Sequence, residues 1–174
     1  MKTEYRNDDV LLTYPMTGAM KNCLRHDTYF GHFKETDKLF KNVRCTLAIL
    51  ADGIDKNPEW VEYIKKNQDR YDIEMHGWHH TRYNPLSKEE GCYLLLKAKK
   101  KIEETFNCKV NRWYVPFGKV YYPKWGKEIC DLLGIGFDYY GLGYKQKVFH
   151  YWNSRDRNRV KLWLQIADNN GKRG

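Results

Sequence analysis

The chain has 174 residues and a mass of 21.0 kDa, enough for one domain over residues 1–174 with a real core and too little for two. Hydrophobic residues at 41% and aromatics at 16% exclude a disordered chain, so the mean hydropathy of −0.83 reflects a charged surface rather than a missing core. The net charge of +9 would favour an anionic partner, but lysine-rich helical stretches such as Lys97 to Ile102 explain it as a solvated face, and charge alone identifies no partner.

Short apolar runs alternate with longer amphipathic ones, the pattern of a parallel sheet with crossover helices. Tyr5 to Asp8 is a first short strand, a helical stretch follows around Ala19 to Asn42, and Cys45 to Leu50 is a buried second strand ended by Asp52-Gly53. Pro58 opens a helix to Asn67 that carries Trp60, Val61 and Ile64 at helical spacing. Asp72 to Met75 is a brief third strand that delivers His76 into an irregular loop with Gly77 and Pro85. Ser87-Lys88-Glu89-Glu90 is a capping box, opening a helix to about Phe106 with Leu94, Leu95, Ala98, Ile102 and Phe106 as its apolar stripe. Trp113 to Val115 is a fourth strand ending at Pro116-Phe117-Gly118, and Pro123 to Leu133 is a helix closed by Gly134. Ile135 to Tyr140 and Lys147 to Tyr151 are two more short strands, Ser154 or Asp156 to Ile166 a last helix, and Asp168 to Gly174 a frayed tail. Six strands and about five helices suit an open or distorted barrel, whose functional side chains gather at the C-terminal strand ends.

Asp8, Asp9, His76, Pro116 and His150 all fall at such ends. Adjacent carboxylates suit a division of labour in which one binds a divalent cation and the other takes a proton from water. Two imidazoles complete an N/O ligand set with an open position, the form of a catalytic rather than a structural zinc site. Taken alone, Asp8-Asp9 is also the pattern of a turn or a helix N-cap, and His150 between Phe149 and Tyr151 that of a packed strand histidine. Asp138 is a candidate to orient His150. His79 lies between the two ligand histidines and reads as solvent-facing or supporting, and His26 and His32 read as surface residues. The five cysteines, Cys23, Cys45, Cys92, Cys108 and Cys130, form no CxxC pair and read mostly as buried thiols of a reducing compartment.

Four segments, Tyr5 to Val10, His76-Gly77-Trp78-His79-His80, Trp113 to Gly118 and Val148-Phe149-His150, together resemble the ordered motifs of the polysaccharide deacetylases, the NodB-homology or carbohydrate esterase 4 family. The resemblance runs from about residue 4 to residue 152, and H-x-x-x-H after one strand, preceded by Asp-Asp after another, is its most specific part. It implies an α/β fold, a distorted and incomplete (β/α) barrel, and metal-dependent removal of an N-acetyl group from an amino sugar of a polysaccharide or smaller glycan. By that resemblance Asp8 is the general base, His150 the general acid, and Asp9, His76 and His80 the ligands of one divalent metal. Zinc comes first among the metals, with cobalt, nickel, manganese or iron as alternatives. Tyr114, Pro116 and Trp78 are the implied substrate and transition-state contacts, with a backbone N–H near Tyr114 facing the developing oxyanion. Trp78, Tyr83, Trp113, Phe117, Tyr121 and Tyr122 are the aromatics expected around the mouth, one or two of them stacking on sugar.

The chain departs from the family at Tyr114, where an arginine beside the catalytic Asp is usual, so the charge steadying Asp8 falls to Arg6 or Arg112. A catalytically weak or inactive glycan-binding protein of the same fold is the alternative this departure raises. No helix-turn-helix, RNP or zinc-finger signature points to nucleic acid, and no stretch approaches the roughly 20 apolar residues of a membrane span. The absence of a leader-like apolar segment gives the expectation of a cytoplasmic protein, a viral source being a further reading of a short lysine-rich chain.

Overall fold

The structure, a computed structural model, describes residues 3–13, 29–40, 43–138 and 145–171. Its strands are β1 (Thr3–Val10), β2 (Cys45–Leu50), β3 (Tyr71–Gly77), β4 (Arg112–Trp113), β5 (Gly136–Phe137) and β6 (Lys145–His150). The α-helices among the described residues are α1 (Tyr29–Asp37), α2 (Pro58–Lys66), α3 (Lys88–Phe106), α4 (Gly126–Leu132) and α5 (Ser154–Gly171). Every strand pair is parallel, in the order β5-β4-β3-β2-β1-β6. Strand β6 adds to the free edge of β1, and among the described residues β5 and β6 are not paired, so the barrel stays open. The architecture is the incomplete (β/α) barrel that the sequence leads one to expect.

The register explains how a chain so polar builds a core. Tyr5, Leu47, Ile73, Phe149, Met75, Trp113 and Phe137 fall on one face of the sheet and are all buried in the apolar cluster. Arg6, Asp8, Thr46 and Glu74 fall on the other face, equally buried but polar. Both faces are therefore covered, one by packing and the other by hydrogen bonds and ion pairs. Glu74, for example, accepts the backbone N–H groups of Asn111 and Arg112, and burial raises its pKa to about 7.

Two strand ends are irregular. Between Asn7 and Val10 strand β1 advances three residues while β2 advances two, a one-residue bulge at Asp8-Asp9 with Asp9 at φ +61°. Strand β3 gains one residue over β2 between Met75 and Gly77, around His76. Gly77 there has φ +131°, and a Cβ on it would lie 2.5 Å from the Tyr83 hydroxyl oxygen, so only glycine fits.

Most helix bounds follow the local chemistry. Ser87 caps α3 with both halves of the capping box formed, and Leu95, Ala98, Ile102 and Phe106 are its buried stripe. The long helix expected from Ala19 to Asn42 lies partly outside the described residues, and within them it is α1 followed by a 3₁₀ turn at Lys38–Phe40. Helix α4 starts at Gly126 rather than Pro123, after a turn closed by the Gly126 N–H on the Pro123 carbonyl. The tail read as frayed from Asp168 is instead helical to Gly171, as a continuation of α5. Of the described cysteines, Cys45 and Cys130 are buried, Cys92 and Cys108 half-buried, and all four are free thiols. No described helix is long and apolar enough to cross a membrane.

Candidate metal centre

A cavity of about 380 Å³ opens at the C-terminal end of the barrel, lined among others by Arg6, Asp8, Asp9, His76, His80 and His150. Strand alternation alone would turn Asp8 and Asp9 to opposite faces of β1. The bulge and the left-handed backbone at Asp9 cancel that alternation, so both carboxylates reach the same cavity.

Asp9 Oδ1 lies 3.2 Å from His76 Nε2 and 2.9 Å from His80 Nε2, and the three ligand atoms are all within 4.8 Å of one another. His76 Nδ1 is 2.8 Å from the Tyr114 carbonyl oxygen, which only accepts, so Nδ1 carries the proton and Nε2 of the neutral ring is a bare lone pair. That lone pair faces a carboxylate oxygen that is buried and makes no hydrogen bond. Acceptors crowded in this way call for a cation between them, and the N/O donor set fits a divalent metal. Burial opposes ionisation of Asp9, but the adjoining His80 and His76 rings outweigh it and hold the carboxyl well below the usual carboxylate range.

Asp8 is held differently. The Arg6 guanidinium grips it at both oxygens, Nε to Oδ1 at 2.6 Å and Nη2 to Oδ2 at 2.8 Å, with both side chains buried. Arg6 in turn lies 3.9 Å over the Tyr114 ring and donates to Gln146 Oε1 at 3.1 Å, and Gln146 donates to the Tyr114 hydroxyl. Of the two arginines expected to steady Asp8, the contact is therefore made by Arg6. Arg112 is turned to the Asp138 carbonyl oxygen.

His150 stands across the cavity, its Nε2 3.9 Å from Asp9 Oδ2. Its Nδ1 is 3.0 Å from Asp156 Oδ2 in the first turn of α5, so Asp156 is its orienting carboxylate and the expectation of Asp138 is corrected. Asp138, at φ +42°, accepts the Val115 N–H instead and lies 3.8 Å from Arg6 Nη1. Burial works against a charged His150 ring, but the Asp156 bond and the charges of Asp9 and Asp8 prevail and raise its pKa to about 9.

The remaining expected site residues are less central. Tyr114 supports Arg6 from behind the cavity wall, and its N–H is spent on the Met75 carbonyl, so it is no oxyanion donor. Pro116 lies in the turn between Val115 and Phe117, which both line the cavity. Trp78 is directed away, under the Lys97 ammonium at 3.8 Å, and Tyr83 and Trp113 are core. Of the expected aromatics it is Phe117 that lines the cavity, 40% exposed, with its ring 4.4 Å, centroid to centroid, from that of His80 and Tyr121 behind it. His79 bonds Asp52, outside the cavity lining. His32 sits half-buried between Glu35 and Arg157, and His26 lies outside the described residues. The sequence reading missed Asp156 and Trp152, whose indole N–H donates to Asp9 Oδ2 at 2.8 Å. Their one mark in the sequence is nearness: Trp152 follows the last motif histidine by two residues and Asp156 by six.

A sequence model of the polysaccharide deacetylases matches residues 39–133. No curated protein sequence matches the chain. Among solved structures, a carbohydrate esterase 4 family pseudoenzyme from Bacillus anthracis is similar at TM-score 0.71 and 14% identity, over 97% of this chain and 61% of that one. A peptidoglycan deacetylase from Bacillus subtilis matches at TM-score 0.65 and 12% identity, over 97% and 83% of the two chains. A family 4 carbohydrate esterase from Streptomyces lividans, in complex with acetate, matches at TM-score 0.66 and 11% identity, over 97% and 88%. At these identities the likeness is one of fold, and the chain spans about three fifths, 61%, of the length of the first of them.

Proposed function

The chain belongs to the polysaccharide deacetylase family, and we propose that within it this protein is a metal-dependent hydrolase that removes N-acetyl groups from amino sugars of a polysaccharide or smaller glycan. The observation that carries the reading is the division between two adjacent carboxylates: Asp9 faces two imidazoles, and Asp8 is gripped by a guanidinium. One is suited to hold a cation, the other to serve as the base.

Asp9, His76 and His80 would bind the metal, zinc being the first choice for one carboxylate and two imidazoles. When bound, the cation supplies Lewis acidity toward the acyl oxygen and toward water. Asp8, fixed by Arg6, takes the proton of the attacking water. His150, fixed through Nδ1 by Asp156, whose hydrogen bond favours the protonated ring, gives a proton from Nε2 to the departing amine. Water adds to the acyl carbon, the carbon–nitrogen bond breaks, and acetate and a free amino sugar leave. Phe117, exposed at the rim, offers an apolar face to the sugar. The site draws on residues from Arg6 to Asp156, which supports one catalytic domain over the chain.

The alternative of a glycan-binding protein without turnover rests on Tyr114 in place of arginine. Arg6 weakens that argument, because a guanidinium meets Asp8 from two residues away on its own strand. The test is to incubate metal-loaded protein with N-acetylglucosamine oligomers and assay acetate. Release of acetate is expected, and none with zinc, cobalt, nickel or manganese would contradict the proposal.

A further inference from the structure

Asp9 uses its two oxygens unequally. Oδ1 makes no hydrogen bond and faces His76 and His80, whereas Oδ2 accepts the Trp152 indole N–H at 2.8 Å. Indole nitrogen only donates and carries no charge, so it occupies one carboxylate oxygen without repelling a cation at the other. A water in its place would leave the carboxylate free to rotate, and a lysine or arginine would compete with the metal.

The indole is itself held in position. The Tyr151 N–H donates to Asn7 Oδ1 at 3.2 Å, tying the 150–153 turn to β1, and the Asn153 N–H closes that turn on the His150 carbonyl at 3.0 Å. The ring is partly buried against the core cluster and lies 5.3 Å, centroid to centroid, from the ring of His150. His150 Nε2 is 3.9 Å from the same Oδ2, just beyond hydrogen-bond reach. Without a donor on Oδ2, His150 Nε2 has only that short gap to close to take the oxygen itself.

We propose that Trp152 is a positioning residue for Asp9. Its N–H occupies Oδ2, so that Oδ1 alone is presented toward His76 and His80, and it keeps His150 Nε2 off the carboxylate and turned to the cavity. The inference rests on the metal reading above.

The test is calorimetric titration of zinc alone into the metal-free wild type, Trp152→Phe and Trp152→Gln, with the melting temperature of each metal-free protein recorded to establish folding. Phe keeps an aromatic ring and loses the donor, whereas Gln loses the ring and keeps an N–H of similar reach. The expected result is an affinity about 10- to 100-fold weaker in the Phe variant, with the Gln variant closer to wild type. Equal affinity of Phe and wild type, or Gln as weak as Phe, would overturn the role, since ring packing rather than the donor would then matter. Should the Phe variant fail to fold, the Gln variant decides: binding near wild type supports the role and a tenfold loss overturns it. A wild type that takes up no zinc overturns the metal reading, and the clamp with it.

Discussion

Arg6 and Asp8 occupy alternate positions of one strand and face the same way, so the charge that steadies the proposed base comes from its own backbone segment rather than across the barrel. Both side chains are buried, and removing one partner of such a pair strands the other. Arg6→Leu is therefore expected to cost about 3–5 kcal/mol, read by chemical denaturation. Arg6→Lys, with one point of charge in place of a two-pronged fork, is expected to retain fold better than Leu while still lowering turnover. A Leu variant as stable as wild type would refute the account of this pair. The contact is legible in retrospect from the i, i+2 spacing of Arg6 and Asp8, but which arginine wins depends on where Arg112 points, and only the fold decides that. Asp9 was harder still. Alternation sends it to the opposite face from Asp8, and a bulge with a non-glycine residue at φ +61° leaves no mark in the sequence. The acidic pair could be read as a site only because the histidine motif accompanied it.

At the scale of elements, local chemistry was the readable part. The capping box at Ser87 to Glu90 and the stripe of α3 are satisfied by contacts a few residues apart, so sequence suffices to place them. Ser87→Ala should accordingly cost about 1 kcal/mol in denaturation with no change in bound metal. The short strands β4 and β5 were less legible, since two-residue strands are defined by their neighbours' hydrogen bonds rather than by their own pattern. Asp156 was missed for a similar reason, because the pairing of α5 with β6 is a tertiary event. That pairing carries a pH signature. The folded His150 pKa, raised to about 9, stands above the ordinary 6.5, so the ring stabilises the fold fully below pH 6.5 and loses that contribution as pH rises through 9. Metal-free wild type should therefore lose stability between these values, and His150→Gln should lose less. Parallel pH profiles of the two proteins would contradict this.

For the whole molecule, the division of the sheet into an apolar face under the helices and a polar face inside the barrel keeps a core in a chain whose low hydropathy comes from its charged surface. It also gathers acids, imidazoles and a guanidinium into one cavity at the open end. A metal that binds only the folded form stabilises it by mass action, about 4 kcal/mol at a thousandfold excess over Kd, so zinc should raise the melting temperature of wild type and leave His76→Ala unmoved. The central claim is that neighbouring carboxylates do different work, Asp9 holding a cation and Asp8 serving as the base. The most direct measurement compares Asp8→Asn with Asp9→Asn for bound metal and for acetate released from N-acetylglucosamine oligomers. The account predicts that Asp8→Asn keeps one metal per chain and loses about 10²- to 10⁴-fold in turnover, while Asp9→Asn loses the metal itself. Equal metal loss in both variants, or full metal retention in Asp9→Asn, would contradict it.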